Sequence, residues 1–246
     1  LITLFTIDYH LYLQYYIKTF WSYYTMKTII ITGCAKRIGL GLVNFYLKNS
    51  NYKIIGVVRN ISDSLRALKL AYPNRLTIMI KAFETAFLDI SFFTEVINKH
   101  GEIKGLMHCA SKLLFDEFHN VTTETFQSHQ RIHHDIFNNA ILSYLEIAKQ
   151  KKLTSIPTFI NFGDFKIKNN HTIGISYTHS KLLAMNALTE QAKIGLGLLR
   201  VNMVSPGYTL PTEGYDEDFN KIVSTFPFKY TSSVLDICET VDFLIN

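Results

Sequence analysis

Cysteine is scarce in this 246-residue chain: Cys34, Cys109 and Cys238 are the only three, widely separated and without a CxxC pair. That pattern excludes a disulfide framework and points to a reducing, cytoplasmic setting. Charge of one sign is scarce too. Lys and Arg total 25 against 20 acidic residues, a net +5 spread without a basic tract. Nucleic acid is therefore not an expected partner, although a mild positive balance suits an anionic small molecule. No long uncharged apolar run occurs. The most apolar stretch, residues 1–25, contains Asp8, His10, Gln14 and Lys18, which argues against a membrane span. It also lacks the basic start and small-residue cleavage site of a signal peptide. Nine histidines are present, with His129 and His133 one helical turn apart. Their helix offers no third ligand, so no metal site is expected.

What the chain does have is core-forming material: 48% of its residues are hydrophobic, enough for one large α/β core. Apolar runs and helical periodicity alternate. Strands are predicted at 27–32, 53–58, 76–81, 105–109, 159–162 and 198–204. Helices are predicted from residue 40, at 62–72, 90–100, 122–151 and 177–194, and at the final residues 241–246. Strands alternating with helices imply a single doubly wound, Rossmann-type parallel sheet with helices on both faces. No repeat, low-complexity tract or linker interrupts it. Residues 207–226, with Pro211 and Gly214, read as a mobile substrate lid.

The first strand runs into Gly33-Cys34-Ala35-Lys36-Arg37-Ile38-Gly39, and Leu42, Val43, Tyr46 and Leu47 then recur at helical spacing. Strand, glycine turn, helix offers backbone N–H groups and a helix N-terminus to a diphosphate. With two glycines, the motif's bland reading is an ordinary strand-to-helix turn, the lesser of the two. The second strand ends at Arg59, where folds that prefer NAD carry an acidic residue for the ribose 2′-OH. Arg37 and Arg59 in these two loops suit the extra phosphate of NADPH, because guanidinium pairs well with phosphate oxygens. The bland reading of each is a solvated surface charge.

Three further residues carry the chemistry. Tyr177 and Lys181 are four apart, on one face of a helix, where the ammonium is expected to lower the pKa of the phenol. Spacing alone is weak: Tyr23 and Lys27 repeat it where no catalysis is plausible. Asp164 follows the apolar run 159–163 and precedes Tyr177 by 177 − 164 = 13 positions. It lies where a strand end faces a helix, the place at which open α/β sheets build sites.

Together, Thr32-Gly33 through Gly39, His108-Cys109-Ala110-Ser111, Asp164, Tyr177-Lys181 and Arg200-Val201-Asn202 with Pro206-Gly207 resemble the short-chain dehydrogenases/reductases over residues 27–246. Within them the chain is similar to the pteridine reductases, and most of all to bacterial dihydromonapterin reductases. Three details carry that narrower likeness: Arg37-Ile38-Gly39 in place of Gly-x-Gly, Asp164 in place of a Ser, and His133 in place of a helix Asn. The resemblance implies NADPH held by Gly33, Arg37, Ile38, Gly39, Arg59, Ala110, Tyr177, Lys181, Pro206 and Gly207. It implies a dihydropterin reduced at C6 with a proton to N5, Asp164, Tyr177 and Lys181 as the catalytic set, and Ser111 and Phe115 as further substrate contacts. A homo-oligomer, tetramer or dimer, is implied as well. Cys109 stands where relatives have a bracing Asn, Ala82 where they have an Asp near the adenine, and Leu113 where they place an aromatic.

Two other readings stay open: a ketoreductase for a small carbonyl, against which Asp164 argues, and an inactive dinucleotide-binding remnant. The remnant reading draws on Cys109, Ala82 and the end at Asn246, where relatives continue into a last strand. At the other end, translation is expected to start at Met26, leaving residues 1–25 as an upstream extension and 26–246 as the reductase domain.

Overall fold

The computed structural model describes residues 26–168, 174–211 and 216–246; the reading of residues 1–25 as an extension lies outside them. Six parallel strands form one sheet: β1 (Thr28–Thr32), β2 (Lys53–Val58), β3 (Leu76–Ile80), β4 (Ile103–His108), β5 (Thr158–Phe162) and β6 (Arg200–Val204), in the order β3-β2-β1-β4-β5-β6. Parallel strands need crossovers, which α1 (Arg37–Asn49), α2 (Asp63–Ala71), α3 (Ile90–His100), α4 (Thr123–Gln130), α5 (Ile136–Lys151) and α6 (Ile175–Ile194) supply. Two more helices, α7 (Asp216–Ser224) and α8 (Val234–Ile245), follow β6. Every residue of β1 and of β5 is buried, as expected of central strands covered on both faces.

Each face of the sheet has its own core. Ile30, Ile55, Leu106 and Phe159 pack under α3 and α5, with Phe93 and Tyr144 filling the space. Ile29, Ile31, Met107 and Ile160 pack under α1 and α8 through Val43, Tyr46 and Val241. Alternate residues of one strand thus feed opposite cores, which pins the register of a six-strand parallel sheet.

Most strand bounds differ from their predicted limits by one or two residues. Two differences are larger. The predicted helix 122–151 is broken by a π-helical turn at Arg131–Asp135. There the Ile132 carbonyl faces His108 Nε2 at 2.7 Å and the His133 carbonyl accepts from Asn161 Nδ2 at 3.1 Å. Carbonyls drawn off to side-chain partners disturb the i→i+4 ladder, and the extra residue is accommodated as a bulge. The stretch 207–226, read as loop, holds the helix α7. Its spacing of Phe219, Ile222 and Val223 is amphipathic, a signal that the nearby Pro and Gly obscured.

Candidate active site

The carboxyl ends of the strands open into one cleft of about 1220 Å³. It straddles β1 and β4, where the strand order reverses, the usual ligand position in such sheets. The 33–39 turn, Arg59, Ala110, Ser111, Asp164, Pro206 and Gly207 arrive from the strand ends, and Tyr177 and Lys181 from α6. All of the expected catalytic, cofactor and substrate contacts line this cleft, Phe115 included, which is half exposed at 52%, whereas Ala82 and His133 do not.

The turn after β1 is tight for a reason. Gly33 has φ +64° and sits so close to the β4 loop that a Cβ there would lie 2.5 Å from the Ala110 nitrogen. A Cβ on Gly39 would lie 2.6 Å from the Gly33 carbonyl oxygen. Lys36, the N-cap of α1, makes no side-chain capping bond, and the first turn of α1 has no acidic residue. A helix N-terminus so placed directs its N–H groups and dipole toward an anion in the cleft. Arg37 is itself in the left-handed region, at φ 57°, a conformation that favours glycine.

Both arginines have protein partners. The Arg37 guanidinium donates to the Pro211 carbonyl at 2.6 Å and to the Leu210 carbonyl at 3.3 Å, tying the glycine turn to the loop after β6. Arg59 pairs with Glu84 at 2.9 Å across the mouth of the cleft. Both side chains are nevertheless exposed, so each is a solvated charge that also has a protein partner. Each guanidinium carries five N–H donors, so a phosphate can be met with or without exchanging these contacts.

In the trio, Tyr177 Oη donates to Asp164 Oδ2 at 2.9 Å. Lys181 is 4% exposed, its Nζ donating to the Phe162 carbonyl at 2.6 Å and lying 5.7 Å from the Tyr177 ring centroid. Burial pulls the Lys181 ammonium down to about 8, with Asp164 acting in the opposite sense. The expected effect of Lys181 on the phenol is not found. Tyr177 is pushed up, first by burial and then by the neighbouring Asp164 carboxylate, with Arg37 opposing. The reason is direction: Oη points at Asp164, whereas Nζ turns toward the strand carbonyl.

Behind Tyr177 lies a polar network that sequence reasoning missed. The His133 and His129 rings meet the Tyr177 ring edge to face at 5.1 and 6.0 Å and stack on one another at 5.7 Å. His133 Nδ1 lies 2.7 Å from Ser180 Oγ, and His129 Nδ1 lies 2.7 Å from Ser176 Oγ. Ser176 in turn donates to Asp116 Oδ2, and its backbone N–H reaches Asp116 Oδ1 at 3.2 Å. The signal was present: His129/His133 and Ser176/Ser180 are both spaced by four, so two helices present matching ladders. Burial holds His108 at about 4 and pulls His129 and His133 below the ordinary value. Among the described residues no group of three His, Cys, Asp or Glu is placed to hold a metal ion, and no helix is long and apolar enough to cross a membrane.

No family model and no curated protein sequence matches this chain. Solved structures do. FolM alternative dihydrofolate reductase 1 from Brucella suis, in complex with NADP, superposes with a TM-score of 0.77 at 21% identity, over 88% of this chain and 87% of that one. The Brucella canis protein of the same name, also with NADP, gives 0.77 at 20% identity over 89% and 87%. A short-chain dehydrogenase/reductase from Brucella melitensis, described as a glucose/ribitol dehydrogenase, gives 0.78 at 16% identity over 89% of each chain. These likenesses establish the short-chain dehydrogenase/reductase fold, and 1638 solved chains in all match this one in structure. A fold that widespread does not assign a substrate.

Proposed function

We propose that this chain is an NADPH-dependent reductase of a 7,8-dihydropterin, of the dihydromonapterin or dihydrofolate type, forming the tetrahydro product. The observation that carries this reading is the 2.9 Å hydrogen bond from Tyr177 Oη to Asp164 Oδ2 at the floor of the cleft. A ketone reductase needs a neutral donor for a developing alkoxide, and a carboxylate beside that oxygen would repel it. Reduction of a ring C=N bond instead requires a proton at nitrogen, which a carboxyl and a phenol can share and deliver. The FolM reductases from Brucella, by name and by bound NADP, support the same choice.

The cleft fits the cofactor. The start of α1 suits the diphosphate, the glycines let the 33–39 turn pack close against the β4 loop at the cleft, and Arg37 and Arg59 stand where an extra phosphate would be met. NADPH, when bound, supplies the hydride. Lys181, anchored on the Phe162 carbonyl, positions the ribose and holds the floor of the site. Tyr177 keeps its proton at neutral pH because burial disfavours the phenolate, so the proton that the ring nitrogen takes would pass from the Tyr177 phenol, with solvent returning one to it through the Asp164 carboxyl. For the aromatic stack, Phe115 is joined by Phe165 and Tyr208, whose rings meet at 5.1 Å beside the cleft. The functional domain is residues 26–246, acting as a homo-oligomer in the cytoplasm; the free thiols of Cys34, Cys109 and Cys238 are consistent with that compartment.

The test is NADPH oxidation by purified protein with dihydromonapterin, dihydrobiopterin, dihydrofolate and a simple diketone. Turnover of pterins but not of the diketone is expected. Turnover of the diketone alone would defeat the reading, and cofactor binding without any turnover would favour the inactive module.

A further inference from the structure

Three hydrogen-bond chains end on buried imidazoles, and their directions can be worked out from the groups that have no choice. A carbonyl only accepts and a backbone N–H only donates. Ser180 Oγ lies 2.6 Å from the Tyr177 carbonyl, so the single Ser180 proton points there. His133 Nδ1, 2.7 Å from the same hydroxyl, must then be the donor. On the other side of the ring, the Lys112 N–H donates to His133 Nε2 at 3.3 Å, so Nε2 is an acceptor. The two constraints are independent, and they agree on the neutral Nδ1–H tautomer. His129 obeys the same logic: Ser176 donates to Asp116, His129 Nδ1 donates to Ser176, and Nε2 accepts the Leu114 N–H at 3.3 Å. His108 is opposite, because its Nε2 faces the Ile132 carbonyl at 2.7 Å and must carry the proton.

One consequence reaches the cleft. Ser111 Oγ, in the cleft wall, lies 2.9 Å from His133 Nε2. Since Nε2 has no proton, the Ser111 hydroxyl can only donate to it, sharing the ring nitrogen's one lone pair with the longer Lys112 N–H contact, and then shows its own lone pairs outward. We propose that His133 is a positioning residue that fixes Ser111 as a hydrogen-bond acceptor, so the cleft selects a ligand presenting an N–H donor there, an amide or amidine edge, over one presenting a carbonyl. This rests on the reading that the cleft takes a nicotinamide cofactor and a pterin, either of which can bring such a donor. A protonated His133 would set an N–H against the Lys112 N–H and is disfavoured on geometry as well as by burial. The buried hydroxyl of Ser180 is what commits the proton to Nδ1, and it belongs to the same helix face as Tyr177 and Lys181.

The first test needs no ligand and no variant. ¹⁵N-resolved NMR of histidine side chains in the full protein should show His133 neutral with the proton on Nδ1; a proton on Nε2, or an imidazolium at neutral pH, overturns the proposal. The second test is calorimetric binding to wild type and Ser111→Ala. The probes are NADPH against its 3-acetylpyridine analogue, and 7,8-dihydropterin against its 3-methyl-2-dimethylamino derivative. Loss of one neutral hydrogen bond should weaken the N–H-bearing member of one pair about five- to tenfold and leave its donor-free partner unchanged. The pair that responds identifies whether cofactor or pterin supplies the donor; equal loss in both members of each pair, or no loss at all, overturns the proposal. His133→Phe, which keeps a ring and removes the acceptor, should erase the same discrimination. If no pterin binds, the proposed substrate falls, while the NMR and cofactor measurements still decide the polarity of Ser111.

Discussion

Tyr177 Oη and Asp164 Oδ2 meet at 2.9 Å although they come from different elements, a helix face and the loop after β5. What holds them together is the packing behind each. Two imidazoles grip the Tyr177 ring, and the Gly163 N–H, bonded to the Val204 carbonyl at 2.8 Å, fixes the loop that carries Asp164. The phenol is pushed up by this partner rather than eased down by the lysine.

Asp164→Ser should therefore cost pterin reduction far more than cofactor affinity. A lost proton donor or acceptor in the transition state is typically worth about a hundredfold or more in kcat, while the NADPH Kd should stay within roughly threefold, since no diphosphate contact is involved. Steady-state kinetics and calorimetry on one preparation separate the two. Equal losses would make Asp164 a structural residue. In Asp164→Asn the Tyr177 phenol should titrate lower than in wild type, followed by ¹³C NMR of the tyrosine ring.

Lys181 makes stability depend on pH. It titrates at about 8 when folded against 10.5 for an ordinary lysine. Below 8 both folded and unfolded chains hold the proton, and the buried charge weighs on the fold. Between 8 and 10.5 the unfolded chain binds more protons, so this group's contribution to stability rises with pH. The stability difference between wild type and Lys181→Met should move toward wild type by roughly 1–2 kcal/mol over about 1.5 pH units. Urea unfolding on each side of pH 8 measures it. Buried Cys34, Cys238 and Tyr46 shift the other way in both proteins and cancel in the difference. A flat difference would mean an unperturbed lysine.

Arg37 separates strain from charge. Its φ of 57° costs Arg and Ala but not Gly, so Arg37→Gly should be more stable than Arg37→Ala by about 1 kcal/mol. Both variants lose the bonds to Pro211 and Leu210 and a positive charge in the cleft. Both should therefore lose about tenfold of any preference for NADPH over NADH. Unchanged preference in both would remove Arg37 from the cofactor site.

Glycines of equal φ sign should differ in cost by their surroundings. Gly33→Ala puts a methyl 2.5 Å from the Ala110 nitrogen at φ +64°, and the β1 and β4 loops must part. A loss of more than about 3 kcal/mol is expected. Gly101→Ala, at φ +88° with nothing within 4 Å, should cost only about 1–2 kcal/mol of backbone strain. Urea midpoints of the two variants check this. A similar cost at both sites would mean that the contact with Ala110 is slack.

The strand-and-helix alternation, the 33–39 turn and the Tyr177/Lys181 pair were legible because each rests on local chemistry. Apolar runs must bury, no side chain fits at Gly33 in the β1 turn, and a spacing of four shares a helix face. The π turn at 131–135 was not legible, since it depends on His108 and Asn161, which arrive from other strands. Helix α7 was masked by the proline and glycine just before it.

By itself, the sequence determined the doubly wound fold and which residues would face the carboxyl ends of its strands, because hydrophobic period and turn chemistry are properties of neighbours in the chain. Only the tertiary structure decided how those residues act on one another. It turned Lys181 toward the Phe162 carbonyl, set Arg37 on the loop after β6, and gave Tyr177 to Asp164. It also decided where the protons sit on His108, His129 and His133. A hydrogen bond has a direction, and that direction is set by whichever partners the fold brings within hydrogen-bonding reach.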